Sequence, residues 1–131
     1  MSGRRTQPPG GWPPPDRATL AGREVELLPL ATAVSERYFR RYPEDLERYG
    51  DVARPWEIHD TLHTLNWAVL DVRGFTSLET NMVWLAKVLI ARDFPLEHLA
   101  RNVELCADVV GDERVAAVLR SAAAVVRGVG A

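Results

Sequence analysis

The chain has 131 residues, 47% hydrophobic and 26% charged, with a formal net charge of -2. That suits one soluble globular domain and leaves no global basic field of the kind that binds nucleic acid without sequence preference. Its one cysteine, Cys106, excludes an intrachain disulfide and a CxxC metal knuckle, and the longest nearly uncharged apolar run, MVWLAKVLIA, is about half the ~20 residues of a membrane span. A cytoplasmic protein without membrane association is expected.

Residues 1–17, MSGRRTQPPGGWPPPDR, gather prolines and glycines that can neither propagate a helix nor pair in a sheet. They predict a disordered tail ahead of one helical domain over residues 18–131. Arg4-Arg5 is followed by no apolar stretch, so it does not read as a twin-arginine export signal. Trp12 is unusual for a linker and is a candidate to dock on the folded body or on a partner.

From Thr19 onward the punctuation is helical, and no alternation of useful length predicts a strand. Pro29 opens PLATAVSERYFRRY, in which Leu30, Val34, Tyr38 and Tyr42 recur every four residues. Pro43 restarts the chain as PEDLERY, stopped by Gly50; Pro55 opens a long helix to Arg73, closed by Gly74. Thr76-Ser77-Leu78-Glu79 predicts a capping box and a helix to about Arg92 that is apolar nearly all round, which suits the middle of a bundle. Trp84, Val88 and Ala91 would then face a different neighbour from Leu78, Met82, Leu85 and Leu89. Pro95 opens a helix striped by Leu96, Leu99, Val103, Cys106 and Val110, ended by Gly111. Asp112 caps the last helix, striped by Val115, Val118, Leu119, Ala122, Val125 and Val126. The expected fold is all-α: a single bundle of about five principal helices, globin-like or four-helix-bundle-like.

Within that frame WEIHDTLHTLNW, residues 56–67, stands out. At about 100° per residue its helix divides into three faces. Ile58, Leu62, Leu65, Val69 and Val72 form an aliphatic core stripe, and Asp60, Thr64 and Asp71 form a polar face. The remaining sector collects Trp56, His59, His63, Trp67 and Leu70. Two indoles and two imidazoles can pack under a neighbouring helix, wall a planar ligand with Trp84 as a further wall, or anchor a protein partner or homodimer.

His59 and His63 also have the i, i+4 spacing of the HExxH zinc helix, with Asp60 where that motif has Glu. His98, on another helix, completes a candidate three-histidine metal set. No catalytic constellation is evident: the chain has no Gly-rich phosphate loop and no GxSxG elbow. The carboxylate pairs Glu44-Asp45 and Asp112-Glu113 sit at helix starts, where they complement the macrodipole. Arg37, Arg40 and Arg41, interleaved with Glu36, Glu44 and Asp45, read as a solvated mixed-charge face, and Cys106 as a small buried hydrophobe.

With RYFRRYPEDLERYG, HTLNWAVLDVRG and ARDFPLEHLARNVEL in order, residues 35–110 resemble a helical sensory domain of bacterial regulatory proteins, often found ahead of a cobalamin-binding or signalling domain. The resemblance implies a bundle that holds or covers a ligand, or passes a signal through a dimer interface. Cobalamin-sensor bundles use a Trp ahead of a Glu-His pair to cover the upper axial ligand. In this chain Trp84 precedes Glu97-His98, with Pro95 between them. No cofactor is established by motif. The reading as a whole is a non-enzymatic regulatory or sensory module that recognises a small, planar ligand or a protein partner through the Trp/His face; the alternatives are a metal-binding bundle protein or metal-dependent enzyme using His59, His63 and His98, and a homodimeric interaction protein without a small ligand.

Overall fold

The computed structural model describes residues 14–129, in the order β1 (Arg17–Leu20), β2 (Arg23–Glu26), α1 (Leu28–Arg41), α2 (Glu44–Tyr49), a short 3-10 turn (Gly50–Val52), α3 (Ala53–Val72), α4 (Leu78–Ile90), α5 (Leu96–Val109) and α6 (Glu113–Val129). The five long helices make the bundle. Most of the proline-rich tail, with Trp12, lies outside the described residues.

The hairpin is a correction to the purely helical reading. Ala18 pairs with Val25 and Leu20 with Arg23 across a two-residue turn. That turn is Ala21-Gly22, both at positive φ (53° and 76°), as the tight primed turns of hairpins require. Ala18, Leu20 and Val25 pack against the core, and the Leu27 amide donates to the Asp16 carbonyl at 2.8 Å, closing the hairpin base.

Helix boundaries follow local chemistry. Pro29 sits in the first turn of α1, where its missing N–H costs nothing. α3 begins at Ala53, so Pro55 lies inside its first turn rather than at its start. The expected capping box is displaced by one residue. Ser77 caps α4, its Oγ accepting from the Thr80 amide at 3.2 Å, while Thr76 Oγ1 accepts from Asn81 Nδ2 at 3.1 Å. Asp112 caps α6 as expected, its Oδ1 accepting from the amides of Arg114 and Val115, each at 3.0 Å.

The core joins Leu65 and Val69 of α3, Leu78, Met82 and Leu85 of α4, Val103 and Cys106 of α5, and Val115, Leu119 and Val126 of α6. The central helix is α3, which touches α1, α4, α5 and α6. The expectation that the apolar α4 would hold that place is overturned. Leu78, Met82, Leu85 and Leu89 are buried, but Trp84 and Ile90 stay 50% and 43% exposed. No helix among the described residues is long and apolar enough to cross a membrane.

Candidate functional site

The Trp/His sector of α3 divides into an outer ladder and an inner wall. His59 and His63 meet edge to face at 4.7 Å, and His63 stacks on Trp67 at 5.4 Å with 27° between the rings. Trp67 also packs against the bundle core, and Leu70 is half-buried. Trp84 stands half-exposed on α4. The polar face is engaged within the fold: Thr64 is buried, its hydroxyl donating to the Asp60 carbonyl at 2.9 Å, and Asp71 Oδ2 accepts from the Leu78 amide at 2.7 Å.

Trp56, one turn before His59, faces differently. It lines a cavity of about 100 Å³ bounded by α1, α2, α3, α5 and the α4–α5 turn. The walls are mostly hydrocarbon and ring, from Phe39, Tyr49, Ala53, Trp56, Phe94 and Leu99. Local structure sets Phe94 there. The Phe94 amide donates to the Leu89 carbonyl and the Asp93 amide to the Ile90 carbonyl, both at 2.9 Å, with Asp93 at φ 61°. This is a Schellman ending, which brings Phe94 back over the last turn of α4, where Leu89 also lines the cavity.

Polar side chains stand among those walls in two groups. In the first, Asp45 Oδ2 accepts both the Tyr38 hydroxyl and His98 Nδ1, the latter at 2.9 Å. The Tyr42 ring stacks on the His98 imidazole at 3.7 Å, and the Phe94 ring meets it edge-on at 5.9 Å, so His98 is clamped. Burial, reinforced by Asp45, pushes the Tyr38 phenol far above its ordinary range, and it remains a hydrogen-bond donor.

The second group is Asn102, Thr61 and Glu57. Asn102 Nδ2 donates to Thr61 Oγ1 at 3.1 Å, and the Thr61 hydroxyl donates to Glu57 Oε2 at 2.7 Å. Burial raises the Glu57 carboxyl from 4.5 to about 7, although the hydroxyls of Thr61 and Ser35 favour its ionised form. Burial raises Asp60 as well, opposed there by its bond from His59 and by the nearby His63 and Arg92 side chains. Glu57 Oε1, Asn102 Oδ1, the Trp56 indole N–H and the Tyr49 hydroxyl are sealed from solvent without a hydrogen-bond partner.

The three-histidine metal set is not assembled. His98 is held in the Asp45 group while His59 and His63 pair along α3, and among the described residues no three His, Cys, Asp or Glu side chains are placed to hold a metal ion. Glu97 and His98 also part company: Glu97 accepts from Arg127 of α6 at 2.8 Å, whereas His98 turns inward. Cys106 is wholly buried and its thiol is pushed up by burial, as suits a small core residue.

Sequence reasoning missed Tyr38, Asp45, Glu57 and Asn102. Asp45 read as a helix-start charge, yet it is 3% exposed and serves as the acceptor between two other helices. The available signal was the spacing of Trp56-Glu57 and Asp60-Thr61, which puts a carboxyl and a hydroxyl one turn apart beside the indole. Comparison of the chain with family models, with curated proteins and with solved structures returned no match.

Proposed function

We propose that this chain is a binding module of regulatory or sensory type, and that its ligand enters the cavity beside Trp56 rather than lying along the outer His59–His63–Trp67 ladder. The observation that carries this reading is the set of four buried, unpartnered polar atoms on residues that line one cavity. Each such atom costs on the order of 1–3 kcal/mol if left unpaired. A bound molecule that pairs with any of these atoms, or that offsets the Glu57 carboxylate with its own charge, recovers part of that cost. The clamped His98 and the capped Asp93-Phe94 turn keep the walls in place beforehand, which lowers the entropic cost of binding.

Size limits the ligand. A dry cavity of about 150 Å³ in another protein takes benzene, so a somewhat smaller molecule of about five heavy atoms fits here. A corrin ring does not enter such a space, so the ligand is a smaller molecule than cobalamin.

The test is an amide and indole NMR map with a panel of small cationic, neutral and anionic fragments, beside a native mass spectrum of the purified protein. Shifts gathered on the Trp56 indole N–H and on Phe94 and Asn102 are expected. Shifts confined to His63, Trp67 and Trp84, or a dimer whose interface shifts map to Trp84 and Ile90 with none at Trp56, would move the function to the outer surface.

A further inference from the structure

Resting on the reading of this cavity as a ligand site, we infer that the ligand is a small methylated ammonium ion, its methyl groups against the rings of Phe39, Tyr49, Trp56 and Phe94 and its charge balanced by Glu57. Three carboxyl groups belong to the lining: Asp45, Glu57 and Asp60. Two are already served. Asp45 accepts from Tyr38 and His98, and Asp60 has the His59 ring with the Arg92 guanidinium nearby. Glu57 is served only by hydroxyls, and the other charge acting on it is Asp60, of like sign. Arg92 also lines the cavity, and Arg48 and Arg54 lie over its rings, but none of them acts on Glu57, which lacks a cation of its own.

The walls say which cation. A metal ion requires several convergent oxygen or nitrogen ligands, and no such group is assembled among the described residues. A primary ammonium requires three acceptors, whereas the surface presented to the cavity is mainly ring and hydrocarbon, with Glu57 Oε1 and Asn102 Oδ1 sealed behind it. A methylated ammonium spreads its charge over methyl groups, needs few or no hydrogen bonds, and is attracted by the negative faces of aromatic rings. Two of these rings already support a cation: Arg54 lies over Phe39 at 5.3 Å and Arg48 over Tyr49 at 5.2 Å, each on one ring face. An anion would meet three carboxyl groups against one guanidinium, that of Arg92, and a neutral molecule of the same shape would leave Glu57 without its counter-charge.

Tetramethylammonium and tert-butanol share about the same size and shape and differ in charge, which makes them the decisive pair of probes. Each is titrated as the Trp56 indole signal is followed at about pH 8, with sodium chloride added to hold ionic strength constant. Tetramethylammonium is expected to bind about tenfold or more tightly than tert-butanol. Glu57→Gln is expected to erase most of that preference while changing tert-butanol affinity by less than about twofold. Equal affinities in the unaltered protein, or tighter binding of acetate, would overturn the ammonium assignment while leaving the cavity as a ligand site. No response at Trp56 to any probe would overturn both readings, and the comparison within the unaltered protein decides the matter even if the variant folds poorly.

Discussion

Glu57→Gln replaces a buried carboxyl with a neutral group of the same shape, and its effect on stability follows from the position of that carboxyl. The folded chain holds the Glu57 proton up to about pH 7, against 4.5 for the ordinary side chain. Between those values the folded state binds more protons than the unfolded state, so stability falls as pH rises through the window. Below about pH 4.5 both states are protonated and there is no penalty; above about pH 7 the penalty is complete. A displacement of this size corresponds to roughly 3 kcal/mol. Other groups share the cavity or act on Glu57: Tyr38 from α1, Asp45 from α2, Asp60 on α3, Arg92 beyond α4, and His98 and Cys106 from α5. They are common to both proteins, so the difference between variant and unaltered chain isolates Glu57. Urea unfolding followed by far-UV circular dichroism, at intervals from about pH 4.5 to pH 8, is the assay. The two proteins should have similar stability at the acid end, and the variant should gain up to about 3 kcal/mol at the alkaline end. Parallel curves would refute the reasoning, because they would mean that Glu57 ionises in the folded chain as it does in water.

Tetramethylammonium does not titrate, so its affinity should rise with pH as Glu57 ionises, by up to about tenfold per pH unit below about pH 7, and lie flat in Glu57→Gln; calorimetric titrations at several pH values measure this. Trp67→Ala should cost about 3 kcal/mol in urea unfolding, since it empties a space against the core, whereas Trp84→Ala should stay within about 0.5 kcal/mol. Asp45→Ala leaves both the Tyr38 hydroxyl and His98 Nδ1 without their acceptor and should cost about 3 kcal/mol, with a visible change in the His98 ring signals. Ser77→Ala should cost about 1 kcal/mol by the same unfolding assay and Thr76→Ala less than about half that, the order expected if Ser77 is the cap.

Much of this fold is local chemistry and so is legible along the chain. Proline in first turns, glycine at positive φ after helix ends and the Asp112 cap set the helix boundaries to within a few residues. The stripe Leu62, Leu65, Val69 on α3 and the stripes on α5 and α6 gave the core faces, because a side chain's angle about its own helix depends only on its position in that helix. The hairpin was fainter. Ala18, Leu20, Val25 and Leu27 do alternate, but they are joined by Ala21-Gly22 instead of the Asn-Gly or Asp-Gly that usually marks so tight a turn.

The candidate site was half legible for the same reason. WEIHDTLHTLNW identified the right helix, and Trp56 does reach the cavity. The wheel placed His59, His63 and Trp67 with it on one sector, yet α3 lies at the centre of the bundle and different neighbours meet successive turns of that sector. Asp45 and His98 are 53 residues apart, and Asn102 is 41 residues from Thr61. Periodicity fixes which way each residue points from its own axis. Only the packing of α1, α2 and α5 against α3 decides which of those directions converge on a shared space, and so which carboxyl is left buried without a counter-charge.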